Sequence, residues 1–274
     1  MISVLILTFN EQDNLPPCMD SVAWSDDVLV LDSFSTDRTL DIARSRGASV
    51  LQNRFVNFAE QRNFGLAQGR LKHEWVLHLD ADERVTPELK EEMLITVARA
   101  DKDAYALASK IIFQGRWLRH AGLYPSYQVR LGRRDKLGFV QVGHGQRENL
   151  PPERIGRLRH DLAHENFSKG FEDWFEKHNR YSTAEARHYL ETRENGKLDW
   201  AGLAGGDPLR RRRLFKELSF RLPFRPALRF GYMYFVKLGL LDGMPGYHYC
   251  RLLAIYEYMV ALKIEEQRTK NHPG

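Results

Sequence analysis

The feature that most constrains this chain is the alternation of short apolar runs with helix-length segments through its first hundred residues. Ile2–Thr8 and Val28–Leu31 are unbroken β-branched and leucine runs, as strands buried on both faces require. Ser49–Leu51 and Trp75–Leu79 read as a third and a fourth strand. Between them, Asp37 can cap a helix over Arg38–Arg46 that closes at Gly47, and Phe58–Gln68 reads as a second helix. Thr86-Pro87-Glu88 supplies an N-cap, a first-turn proline and an acid for a third helix reaching Arg99. Repeated βα units of this length dictate an α/β fold with a mostly parallel sheet. From Ala104 to Leu158 the pattern becomes short strands and glycine-rich turns. A helix follows from Ser168 to about Glu191, with Phe171, Trp174, Phe175, His178 and Tyr181 on one face.

Polar side chains collect just past the strand ends: Thr8, Asn10 and Glu11 after the first, Asp32, Ser33, Ser35 and Asp37 after the second, Asp80 and Asp82 after the fourth. Open parallel sheets bind ligands outside the carboxyl ends of their strands, so three strand ends converge on one candidate site. Asp80-Ala81-Asp82 puts two carboxylates on one strand-end turn. That spacing suits a hard divalent cation, which prefers oxygen ligands and leaves coordination positions for phosphate oxygens. The plain alternative for such a triplet is a solvated turn.

Composition narrows the partners. Two cysteines, Cys18 and Cys250, exclude a disulfide framework and a cysteine zinc site, and fit a reducing compartment. The short apolar start lacks the basic flank of a signal peptide and reads as a strand. Leu209–Arg229 holds eight basic residues against one acid, Glu217, so this stretch carries +7 and the rest of the chain −2 of the net +5. A charge so confined, beside an aromatic tail, argues against nucleic acid as a partner. Pro226–Leu241 and Arg251–Leu262 are too short and too interrupted to span a bilayer. With Arg210, Arg211, Arg212 and Arg213 they suit helices lying in an anionic membrane surface; packing on the protein or on a dimer partner is the alternative. The linker Leu203–Pro208 divides the chain into a domain at 1–205 and a basic, aromatic helical extension at 206–274.

In order, Thr8-Phe9-Asn10-Glu11, Val30-Leu31-Asp32-Ser33-Phe34-Ser35-Thr36-Asp37, Gln61-Arg62-Asn63-Phe64-Gly65 and Leu79-Asp80-Ala81-Asp82 resemble family 2 glycosyltransferases of the GT-A fold. Among these, the chain is similar to bacterial lipopolysaccharide-core and polysaccharide transferases. Looser similarity continues through Ser168-Lys169-Gly170, His178–Ser182 and Leu241–Gly246. The resemblance implies that Thr8, Asn10, Glu11 and Asp32 line the nucleotide base and ribose, with Asp32 accepting from a uracil-type N–H. It implies that Arg62 approaches the diphosphate, that Asp80 contacts ribose or metal, and that Asp82 holds Mg²⁺ or Mn²⁺. His164 is the candidate for a late histidine ligand. Three features depart from the family: a single acid at Asp32-Ser33 where many relatives have two, Phe34 in place of a small turn residue, and no clear Glu-Asp pair of the kind many relatives use as acceptor base. For the base that takes the acceptor proton, Glu148 stands where related sequences carry a His-Glu pair, with Asp161 and Glu165 in reserve; a surface ion pair with Arg147 is the alternative.

The resulting expectation is a metal-dependent, inverting glycosyltransferase that uses a UDP-linked sugar. Its acceptor would be a lipid-linked saccharide of lipopolysaccharide or surface-polysaccharide synthesis, and its location peripheral, on the cytoplasmic face of the inner membrane. The rivals are a polyprenyl-phosphate glycosyltransferase, whose lipid phosphate the arginine run would suit equally well, and a membrane adaptor with an inactive GT-A domain. The sequence leaves the oligomeric state open.

Overall fold

The computed structural model describes residues 1–142, 145–193 and 224–271. They divide into two compact units, one of residues 1–119 and 123–168, the other of residues 120–122 with 169 onward. The helix that follows Ser168 therefore groups with the C-terminal unit. The boundary expected at 205/206 lies outside the described residues, as do Arg210, Arg211, Arg212 and Arg213.

In the first unit, β1 (Ile2–Thr8), β2 (Val28–Asp32), β3 (Ser49–Gln52) and β4 (Trp75–Asp80) lie parallel in the order β3-β2-β1-β4. All seven residues of β1 are buried, as its unbroken apolar run requires. One face of these strands, with Ile2, Val4, Ile6, Leu77 and Leu79, packs against α1 (Leu15–Ser21) and α4 (Pro87–Arg99) through Leu15, Cys18, Leu89 and Met93. Each such aliphatic side chain contributes about 1.5–3 kcal/mol by leaving water. The other face, with Leu5, Leu7, Leu29, Leu31 and Val76, lies under Phe58 and Phe64 of α3 (Phe58–Gln68). Gly65 permits that approach: a Cβ there would stand 2.7 Å from Leu5 Cδ2 and 3.1 Å from Leu31 Cδ2. Helices α3 and α4 keep their expected limits, and Thr86 Oγ1 accepts from Leu89 N at 3.2 Å as an N-cap. Helix α2 (Thr39–Ser45) is one residue shorter than expected at each end, with Arg38 at its N-cap position and the Asp37 carboxylate accepting from Thr39 N at 3.0 Å.

The irregular middle of the sequence completes a mixed sheet. β8 (Tyr127–Arg133) runs antiparallel between β4 and the ten-residue β6 (Ala104–Phe113). Beyond β6 come β12 (Leu162–His164) and, at the edge, β5 (Glu83–Val85); β7 (Arg116–Trp117) and β11 (Ile155–Arg157) also pair with β6. β9 (Phe139–Val142) and β10 (Gly145–Glu148) form a separate antiparallel pair, tied to α3 where Asn63 bonds the amide and carbonyl of Phe139 at 2.9 and 2.8 Å.

In the second unit, α5 (Gly170–Arg193) packs Ala186 and Tyr189 against Val260 and Ile264 of a long helix, Gly243–Asn271. Along the expected apolar stripe of α5, Trp174 is buried and stacks on His178 at 3.7 Å, while Phe171 and Phe175 remain exposed. The first tail stretch is α6 (Arg225–Gly231), a π-helical turn at Tyr232–Val236 and a 3-10 turn at Gly239–Asp242; the long helix is α7. The second stretch, Arg251–Leu262, belongs to α7 and is partly packed on protein through Leu252, Ala254 and Val260. No helix among the described residues is long and apolar enough to cross a membrane.

Candidate active site

Strand β4 ends at Asp80, and a tight turn through Ala81 and Asp82 leads into β5. β12 pairs with β5 antiparallel, His164 opposite Glu83, and Glu165 N donates to the Asp82 carbonyl at 2.8 Å. This pairing brings together two residues far apart in sequence: His164 Nε2 stands 3.3 Å from Asp82 Oδ2, both partly exposed. Burial disfavours the imidazolium, but the Asp82 carboxylate outweighs it and lifts the His164 pKa to about 9.

Beneath this pair lies a buried charge network. Arg62, on α3 and 1% exposed, donates from one guanidinium nitrogen to Asp80 Oδ1 at 2.7 Å. Arg130 donates to Asp80 Oδ2 at 2.8 Å and to Glu83 Oε1 at 2.7 Å. Glu83 Oε2 accepts from Asp80 N at 2.9 Å. Two cations thus balance two carboxylates. Burial alone would raise the Asp80 pKa, but Arg130 and then Arg62 pull it well below the carboxylate range; in Glu83 burial prevails and the pKa is raised. Burial also depresses Arg62, to about 10.

This arrangement revises one expectation. Arg62 does not face outward toward a diphosphate; it is buried against Asp80, with its guanidinium carbon 5.9 Å from the Phe139 ring centre. Asp80 is held by both arginines and remains partly exposed, whereas Asp82 meets His164, so the two acids of the triplet have different surroundings.

Glu83 and Arg130 did not emerge from the sequence, although signals for both exist. Three acids within Asp80–Glu83 at the end of a buried strand require compensating charge, and Arg130 interrupts the apolar run Val129-Arg130-Leu131. Its geometry depends on a β-bulge: the β6–β8 register shifts between Tyr105 and Ala106, so that Arg130 is the extra residue of β8. Bulges re-aim a side chain, and this one turns Arg130 to Asp80 and Glu83.

At the other two strand ends, Asp32 is fully buried and organises the loops. It accepts from Thr8 Oγ1 at 3.0 Å, Ser35 N at 2.9 Å and Gln52 Nε2 at 3.2 Å, and also from Ser35 Oγ. Four donors fill the acceptor capacity of a carboxylate. Asp32 is therefore not presented to a base N–H as expected; with Thr8 it locks the β1 and β2 loops together. Asn10, at φ 53°, donates from its amide to Ser35 Oγ at 2.8 Å and accepts from Thr36 N at 2.8 Å. Glu11 donates from its amide to Thr39 Oγ1 at 2.8 Å and accepts from Asn14 Nδ2 at 2.7 Å. Phe9 and Phe34 project from the same two loops, each about half exposed, and Phe34 occupies the left-handed region at φ 63°.

Of the candidates for a base, Glu148 ends β10 opposite Phe139, on the strand pair that packs on α3. Asp161 is buried, accepts from Tyr124 Oη at 3.0 Å and pairs with Lys110 at 3.3 Å. Glu165 adjoins His164 and is bonded through its amide to Asp82.

A family model, Glycosyl transferase family 2, matches residues 3–146. The lipopolysaccharide core biosynthesis glycosyltransferase LpsC of Rhizobium meliloti is 25% identical over 273 residues, covering 97% of this chain and 92% of that protein. An uncharacterized glycosyltransferase of Rickettsia bellii is 37% identical over 105 residues, 38% of this chain; the match spans about a third, 35%, of that relative's own length. Among solved structures, S. aureus TarS matches with a TM-score of 0.44 at 18% identity, over 98% of this chain and 91% of that one. With more than half of its residues matched by the family model, and with the strand-end acids in the expected order, this chain belongs to Glycosyl transferase family 2.

Proposed function

We propose that this protein transfers a sugar from a nucleotide donor, UDP-linked, to a lipid-linked saccharide, with inversion at the anomeric carbon and with Mg²⁺ or Mn²⁺ bound at Asp82 and His164. The observation that carries this reading is the 3.3 Å approach of Asp82 Oδ2 and His164 Nε2 at the rim of the sheet. Adjacent ligands of an octahedral ion with bonds of about 2.1 Å stand roughly 3.0 Å apart, so the two donors fit neighbouring coordination positions. Among the described residues no group of three or more His, Cys, Asp or Glu could hold an ion. An ion at Asp82 and His164 would be completed by substrate phosphates and water, the usual mode for magnesium. Such a cation supplies charge neutralisation for the departing nucleoside diphosphate.

The chain's own residues would act around that centre. Asp82 and His164 hold the ion, with His164 giving up its proton to do so. Arg62 and Arg130 neutralise Asp80 and fix the turn that aims Asp82. The Thr8–Asp32–Ser35 bonds hold the two loops that carry Asn10, Phe9 and Phe34, whose exposed rings offer stacking surface for a nucleobase. Glu148 takes the proton of the acceptor hydroxyl as that oxygen attacks the anomeric carbon. Likeness to LpsC along nearly the whole chain favours a lipopolysaccharide-core saccharide as acceptor.

Donor hydrolysis across a panel of nucleotide sugars, with and without Mn²⁺, tests the reading. Metal-dependent hydrolysis of one UDP-sugar is expected, lost in Asp82→Asn with the fold intact. Hydrolysis in excess EDTA near the untreated rate would refute the metal site, and inactivity on every donor would refute the transferase. With acceptor present, an acid-stable extended saccharide supports the saccharide acceptor, whereas an acid-labile monosaccharide phosphate would move the acceptor to a polyprenyl phosphate.

A further inference from the structure

In the second unit the 21 residues from Phe224 to Met244 expose an unusual density of large apolar side chains. Phe224 is 82% exposed, Val236 68% and Met244 63%, and Leu228, Phe235 and Leu241 are each more than half exposed. Isolated exposed apolar residues need no explanation, but six large ones more than half exposed within 21 residues call for a partner.

The exposure is built into the fold. Between the exposed positions, Met233 and Gly239 are fully or nearly buried. A Cβ at Gly239 would stand 2.8 Å from the Met233 carbonyl, 3.0 Å from Cys250 Sγ and 3.3 Å from Ala121 Cβ, so the 3-10 turn is packed closely. Buried Asp242 accepts from the amides of His120 and Ala121 at 2.9 and 2.7 Å, and Arg225 pairs with Glu257 of α7. These anchors turn Phe235, Val236 and Leu241 outward on fixed turns.

The charge pattern identifies the partner. From Phe224 to Met244 the cations are Arg225, Arg229 and Lys237, and the one acid, Asp242, is buried. Lys237 is exposed, with Nζ 5.9 Å from the centre of the Tyr232 ring, and Arg251 of α7 lies 5.8 Å from Phe230. The preceding stretch is the most basic in the chain. Apolar and aromatic side chains with cations and no exposed acid complement the boundary between anionic headgroups and acyl chains. We infer that residues 224–244 insert into the surface of an anionic lipid bilayer through Phe224, Leu228, Phe235, Val236, Leu241 and Met244. The contact does not require the acceptor to be lipid-linked, and none of these residues belongs to the donor site.

Flotation of the full chain with vesicles of phosphatidylcholine and phosphatidylglycerol, against phosphatidylcholine alone, tests the inference. The wild type should float with the mixed vesicles and bind the neutral ones more weakly. Phe235→Ser with Val236→Ser should weaken binding to mixed vesicles by roughly a hundredfold, since each removes an apolar group from the inserted face. Leu228→Ser with Leu241→Ser, on neighbouring turns, should act in the same direction. Unchanged thermal melting and donor hydrolysis in the variants exclude unfolding and keep this result separate from the fate of the donor-site reading. Wild-type flotation by either double variant overturns the inference. So does a wild type that ignores vesicles but elutes as a dimer that Phe235→Ser with Val236→Ser dissociates, because the surface would then join two copies of the chain.

Discussion

Arg130→Met should reveal how strongly the buried charge network holds the first unit. The side chain is 5% exposed and its guanidinium serves both Asp80 and Glu83. Without it, two carboxylates face Arg62 alone, and Glu83 is fully buried. Breaking one partner out of a buried ion pair typically costs 3–5 kcal/mol. The least costly relief is protonation of Glu83. From the ordinary glutamate value of 4.5, neutralising a carboxyl at about pH 7 costs roughly 3.4 kcal/mol, at 1.36 kcal/mol per unit. Burial already raises Glu83, so this figure is a ceiling, and a loss of about 3 kcal/mol is expected. Because protonation supplies the relief, the loss should shrink by about 1.4 kcal/mol for each unit of acidification until Glu83 is neutral without help. Urea unfolding, followed by far-ultraviolet circular dichroism at neutral and mildly acidic pH, measures both quantities. Glu83→Leu combined with Arg130→Met removes one charge of each sign, and should recover about 2 kcal/mol relative to the sum of the two single changes. A pH-independent loss below about 1 kcal/mol, or strict additivity in the double variant, would refute the charge-balance reasoning.

Three further outcomes can be checked alongside. Glu148→Gln should lower transfer to acceptor by roughly 10²–10⁴-fold while sparing donor hydrolysis, and near-normal transfer would pass the role of base to Glu165 or Asp161. Ser35→Ala removes two functions, the hydroxyl donated to Asp32 and the acceptor for Asn10 N. It should cost about 1–3 kcal/mol in unfolding and weaken nucleotide binding in calorimetry; a stable variant with unchanged affinity would contradict the locking role of Asp32. Glu92 of α4 accepts from the amides of Arg159 and His160 at 2.9–3.0 Å; burial opposes its charge, but these bonds hold its pKa below the ordinary value. A depressed folded pKa stabilises above the unfolded value and is lost as pH falls through the folded one. Glu92→Gln should therefore lower Tm at neutral pH, by about 1 kcal/mol in stability, and lose that effect in acid.

The sequence by itself determined the parallel half of the sheet, its covering helices and the order of the strand-end acids. These features are local. Ile2–Thr8 and Trp75–Leu79 are apolar at every position, Thr86-Pro87 carries its own cap, and Asp80-Ala81-Asp82 follows its strand directly. The candidate ligand end of the sheet was legible for the same reason, since side chains just past parallel strands share one edge.

What each of those side chains is bonded to was decided only by tertiary structure. Asp32 and Asp80 look equivalent to Asp82 as letters, yet four donors saturate the first, two guanidiniums hold the second, and only Asp82 meets His164 at the rim. The partners responsible come from Ser35, Gln52, Arg62, Arg130 and a β12–β5 pairing that brings His164 to Asp82, 82 positions away. A buried carboxylate is stabilised by whatever cation or donor the fold brings within about 3 Å, and that distance is set by long-range packing: Gly65 of α3 against the sheet and the bulge at Arg130. Neither contact has a periodicity in the chain, so no local pattern could announce it.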